Sequence, residues 1–262
     1  MHTISELRIP LFFSMKKYLL LITAILTIVV TSLLSIPGSP YLIWGMTQAD
    51  ISNKFSTSVT PSGLTFGIWS LIYLSWIVVG VYIAFFQKWK KKIDDTSIIT
   101  FSLAIGLTVL WLFPWGNIWI GTALLVMLVI LWLLAYSFSL TREAHVYVRS
   151  SVEITLGWII MATALNITVW LRYLGFPIGA PGDLYYAIFA LGAILIIISE
   201  LQCRYKTYII SWVFLWTLSG VWFAHTLFEQ RVAVTIYTIV ICIYIWNSLH
   251  GKSTSLKSLK FW

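Results

Sequence analysis

LTFGIWSLIYLSWIVVGVYIAFF, residues 64–86, decides the fold of this chain: 23 residues without a charge, followed at once by QKWKKK, residues 87–92, with four lysines. At 1.5 Å per residue a helix of that length reaches about 35 Å, enough to cross the roughly 30 Å hydrocarbon core of a bilayer. The lysines then mark the side on which the crossing ends, because short basic loops stay cytoplasmic. The same pattern recurs along the chain. Apolar runs at Tyr18 to Ile36, Leu64 to Phe86, Ile98 to Phe113, Ile118 to Leu140, Val152 to Leu174, Leu184 to Ser199, Thr207 to Phe228 and Val232 to Leu249 predict an all-α polytopic bundle of about eight transmembrane helices.

Charge tests that count. The amino terminus, the second, fourth and sixth connections and the tail hold 14 of the 17 basic residues, from Arg8, Lys16 and Lys17 to Lys252, Lys257 and Lys260. The opposite side keeps Lys54, Arg172 and Arg231. Such a split predicts a multi-pass protein of the bacterial cytoplasmic membrane with both termini cytoplasmic. Met15-Lys16-Lys17 before an apolar run reads like a second start followed by a signal sequence. The run ends at Pro37 without a small-x-small cleavage site, so it counts as the first helix.

With 60% hydrophobic and 10% charged residues, the chain has more apolar surface than a soluble domain can cover. The net charge of +8 is juxtamembrane and belongs to topology and anionic lipid, so no nucleic acid is expected. Cys203 and Cys242 give no reason to expect a disulfide. No nucleophile with a base, phosphate loop or spaced carboxylate pair appears, so neither catalysis nor a resident cofactor is expected. His225 and Glu229 stand four apart at the end of the seventh run, but two ligands are too few for a metal, and a satisfied polar group is the expectation. Glu153 and Glu200 are expected on the cytoplasmic side among Arg149, Arg204 and Lys206, where surface pairing suffices for them. Two turn-rich connections stand out, Ile36 to Gly63 and Gly175 to Asp183. The first, over twenty residues long, has the length of a lid or binding segment.

Fifteen Trp, thirteen Tyr and fifteen Phe exceed what interfacial belts require. On the helix from Pro61, Phe66, Trp69, Tyr73, Trp76 and Gly80 fall within about 80° of arc. They form either a packing face or the wall of a pocket for a flat ligand. On the fifth crossing Trp158, Ala162, Leu165 and Asn166 share a face. The Asn166 amide needs a partner at that depth and either bonds another helix or faces a cavity.

These residues resemble a known family. P-x-G-x-x-F-x-I-W-x-L-I-Y from Pro61 to Tyr73 is similar to the second helix of the tryptophan-rich sensory protein/translocator protein (TspO) family. Leu110-Trp111 with Asn117-Ile118-Trp119 resembles its third helix, and Trp158, Ala162 and Leu165-Asn166 its final one. The resemblance covers a five-helix membrane core over residues 16–175, with three additional transmembrane helices over 183–250, as in longer bacterial members. It implies a protein, often a homodimer, that binds or senses a planar hydrophobic ligand, porphyrin, haem-like or sterol-like, with Trp69, Tyr73, Trp111, Trp158, Ala162 and Asn166 around it; transport of that ligand is a further role compatible with this reading. The sequence departs from the family where Phe55 and a single Pro61 replace a W-x-P-P segment, where Thr108 stands near the usual third-helix Asn, and where the Pro-Tyr before the final-helix Trp is missing. These departures argue against porphyrin degradation. The alternatives are a small-solute permease with a polar path through Asn166, Glu153 and His225, and a structural membrane subunit without ligand.

Overall fold

The computed structural model describes residues 5–35, 46–86, 93–177, 183–226 and 228–249. Among them are nine α-helices and no strand: α1 Ser5–Ser35, α2 Gln48–Lys54, α3 Ile68–Val81, α4 Asp95–Gly116, α5 Ile120–Leu140, α6 Val146–Tyr173, α7 Asp183–Tyr205, α8 Ile209–Ala224 and α9 Phe228–Leu249. A 3-10 turn, Gly63–Gly67, leads into α3, and a π turn, Tyr82–Phe86, extends it. Seven helical stretches are long and apolar enough to cross a membrane. The eighth predicted run is α8, whose 16 residues reach about 24 Å. Its helix stops at Ala224 because His225 turns to extended backbone, φ −119° and ψ 141°, where Arg231 Nε donates to its carbonyl at 2.8 Å.

Large apolar side chains lie open on the periphery, as on α3, where Leu71, Leu74 and Val78 are exposed on one face. Lipid, in place of water, suits such a face. The buried faces carry hydroxyls that bond across helices. Trp76 Nε1 donates to Thr155 Oγ1 at 2.9 Å, and the Ser75 and Ser151 hydroxyls meet at 2.9 Å, so α3 is pinned to α6. Gly80 lets α1 approach α3: a Cβ there would stand 2.9 Å from the Leu21 Cα. α4 packs on α1 and α5, while α6 meets α3, α5 and α8.

Several expectations are corrected. α6 begins at Val146, six residues before the predicted start, so Glu153 lies two turns inside the helix and is buried. Its pair with Arg149, Nε to Oε1 2.7 Å, is therefore not a surface pair; Arg149 Nη2 also donates to the Tyr205 carbonyl at 2.7 Å. The break after Ala224 removes the helical face that would have set His225 against Glu229. The first connection is not all turns. Its described part contains α2, started by a capping box in which Asp50 N–H donates to Thr47 Oγ1 and Thr47 N–H to Asp50 Oδ2. Residues 36–45, the lysines at 88–92, Gly179 and the tail lie outside the described residues.

The chain between α2 and α3 is held by helices from the far end of the sequence. Ser62 N–H donates to the Gly220 carbonyl at 3.0 Å, Trp216 Nε1 to the Thr65 carbonyl at 2.9 Å and His225 Nε2 to the Thr60 carbonyl at 3.1 Å. Gln230 Nε2 donates to the Ser58 carbonyl. The contact requires a glycine at 220, since a Cβ there would collide with the Thr65 side chain.

Candidate functional site

A cavity of about 420 Å³ opens inside the bundle, within the range of small-molecule sites. Its aromatic wall follows from helical periodicity. Phe66, Trp69 and Tyr73 come from the 3-10 turn and α3, and Trp158 comes from α6. Trp69 lies 5.5 Å from Tyr73 between ring centroids, at 37°, and 6.3 Å from Trp158, at 82°. Phe66 meets Trp158 edge to face at 5.8 Å. Across from them Trp111 and Trp115 of α4 stack at 5.0 Å and 25°. Edge-to-face and offset contacts of this kind lock rings without filling the space between helices.

Polar groups in the wall are few and mostly paired. Trp111 Nε1 donates to Asn166 Oδ1 at 3.2 Å, and Asn166 Nδ2 donates to the Ala162 carbonyl at 2.8 Å. The amide therefore both ties α4 to α6 and lines the cavity. Tyr73 donates to Thr31 Oγ1 at 3.2 Å, joining α3 to α1. Trp115 Nε1 donates to the Gln48 carbonyl at 3.4 Å, which fastens α2 over one end. The Trp158 indole N–H and the Ser52 hydroxyl are buried and unpartnered, and both residues line the cavity. No lining side chain among the described residues is a Lys, Arg, Asp, Glu or His.

All six residues singled out from the sequence, Trp69, Tyr73, Trp111, Trp158, Ala162 and Asn166, line this one cavity. Thr108 lines it too, its hydroxyl turned back to the Ile105 carbonyl at 2.6 Å. Phe55 does not; it packs edge to face on Tyr173 at 6.2 Å. Glu153 and His225, the other members of the permease path, lie off the cavity in the contacts already given. The described residues contain no group of three His, Cys, Asp or Glu that could hold a metal.

Sequence reasoning missed Trp115, the hydroxyls Thr31, Ser32 and Ser35 of α1, the α2 residues Thr47, Gln48 and Ser52, and Ala190, Leu191, Ile194 and Thr217 from α7 and α8. Thr23, Thr27 and Thr31, spaced one turn apart along α1, were a usable signal; small and aliphatic wall residues of α7 send none. The wall thus draws on helices from both halves of the chain.

No curated protein and no solved structure matches this sequence. The sequence model of one family, described as TSPO-like protein, matches residues 17–249, from the first crossing through the end of α9. With that match over most of its length, and the Trp, Ala and Asn positions of the resemblance gathered around one cavity, the chain belongs to the TSPO-like protein family, as a multi-pass helical membrane protein.

Proposed function

We propose that this protein binds or senses a flat, largely apolar ring compound, tetrapyrrole or sterol-like, and that its role is binding, with no chemical conversion. One observation carries the reading: a cavity of about 420 Å³ with Phe66, Trp69, Tyr73, Trp111, Trp115 and Trp158 in its wall and no charged side chain among the described residues. Rings stack on rings, and a site that buries most of an apolar ligand needs only a few polar groups to orient it. The charge asymmetry of the sequence supports a cytoplasmic placement of both termini, which sets α2 and the end of the cavity it covers on the outer face.

The test is a titration of the purified protein with a tetrapyrrole and a sterol, read by absorbance and by quenching of the fifteen tryptophans. Micromolar binding is expected. Trp158→Ala removes a ring next to the small Ala162 and should weaken it roughly tenfold or more while the helical bundle persists, since ring contacts are worth about 1 kcal/mol or more each. Absence of binding by wild type at micromolar concentration would defeat the proposal, and loss of fold in the variant would assign Trp158 to packing.

A further inference from the structure

The cavity has walls for a ring but nothing for an anion. Its lining contains neither cation nor histidine among the described residues. Residues 36–45 and 178–182, outside the described residues, contain no charged residue in the sequence. The three cations on the α2 side sit elsewhere. Lys54 is exposed, its Nζ 5.9 Å from the Phe55 ring centroid. Arg231 lies over Trp222 at 4.5 Å while its Nε bonds the His225 carbonyl, and Arg172 is not a lining residue. A carboxylate drawn into this space would lose its water and meet no countercharge, and that loss is large in a low-dielectric wall.

The unpartnered donors of the wall do not change this: the Trp158 indole N–H and the Ser52 hydroxyl are closed off from the open space. The combination is a ring-lined space with neutral polar groups and, among the described residues, no cation.

Resting on the reading of a ring-binding cavity, we propose that the site selects uncharged ring compounds and discriminates against ring compounds that bear carboxylates. The ring family alone does not distinguish these two classes; the charge of the wall does.

The experiment uses two probes with one ring, protoporphyrin and its dimethyl ester, titrated into the full-length protein in detergent micelles and followed by tryptophan quenching. The diester is expected to bind at least about tenfold tighter than the dicarboxylate. Ser35→Lys, which places a cation in the lining at the end of α1, should raise the dicarboxylate's affinity relative to the diester's several-fold, a ratio that cancels differences in micelle partitioning. Equal or tighter binding of the dicarboxylate by wild type overturns the selectivity while ring binding stands. If neither porphyrin binds at micromolar concentration, the ring-binding reading itself falls.

Discussion

Asn166→Leu separates a binding wall from a hydrated transport path. The amide is 2% exposed and makes two bonds, one of them to its own helix at the Ala162 carbonyl, where the carbonyl already has a helical partner. The substantive loss is the other bond: Trp111 Nε1, 3.2 Å from Asn166 Oδ1, becomes an orphan donor. An unsatisfied buried donor costs about 1–3 kcal/mol in water-soluble proteins, whereas interhelical bonds in membranes average about 0.6 kcal/mol. Leucine keeps asparagine's branching but is larger, and because Asn166 lines the cavity the open space beside it takes up the added methyl groups, so overpacking adds little to the balance. We therefore expect a destabilisation of about 1 kcal/mol and, because the freed Trp111 ring forms part of the wall, a several-fold weaker ligand affinity. Thermal unfolding followed by circular dichroism reads the first, and the porphyrin diester titration reads the second. A hundredfold loss of affinity corresponds to about 2.7 kcal/mol, more than one released ring can account for. That result, or loss of a measurable solute flux in proteoliposomes together with no tetrapyrrole binding by wild type, would refute the reasoning and favour a permease.

Glu153→Gln leaves Arg149 without its carboxylate and should destabilise the fold by about 2 kcal/mol, less than a fully buried pair because Arg149 keeps 29% of its side-chain exposure. Chemical unfolding measures this, and the double change Arg149→Met, Glu153→Leu should recover most of the loss. Thr47→Ala removes the cap of α2 and should cost about 1 kcal/mol locally, seen as faster amide exchange over Gln48–Lys54 with the remaining helices unaffected. In the same box the backbone bond from Thr47, followed by its hydroxyl, holds the Asp50 carboxyl below its ordinary 3.8. Its contribution is therefore fully present above about pH 4 and lost as pH falls through the lowered value, so exchange over α2 should rise only in that acid window. Reporters fused at both termini and at Lys91 should be cytoplasmic and a reporter at Lys54 external; an external carboxyl terminus would break the charge assignment.

What the sequence reveals here depends on whether a feature is written in one helix or between several. Phe66, Trp69 and Tyr73 recur at helical spacing in one uncharged run, so their common face is readable without neighbours. Trp158, Ala162 and Asn166 are legible for the same reason. The mutual facing of the two stripes, and the Trp111 bond to Asn166, arise only when α3, α4 and α6 pack together. α2 was hidden by the surrounding Pro and Gly, although Thr47-x-x-Asp50 is a start signal of the kind that opens helices. The end of α8 left no mark at all. Leu-Ser-Gly-Val-Trp-Phe-Ala continues toward His225 without a proline, and the helix stops for reasons held in Thr60 and Arg231. Ala190, Leu191 and Ile194 look like any lipid-facing or core residues until a cavity lies beside them.

The long reach of the bonds that hold residues 58–65 has a consequence for how the molecule is made. Thr60 and His225 are separated by 165 residues, and Ser58 and Gln230 by 172. At synthesis rates of about 5–20 residues per second, the ribosome needs roughly 8–33 s to travel from the first partner of the earlier pair to the second. During that interval the aromatic wall up to Asn166 can already stand in the bilayer while the Thr60 carbonyl waits for its donor. The rim closes last, on the arrival of helices synthesised roughly 8–33 s after the segment they secure, and a chain stalled before Trp216 carries the aromatic part of the wall around an unfastened mouth.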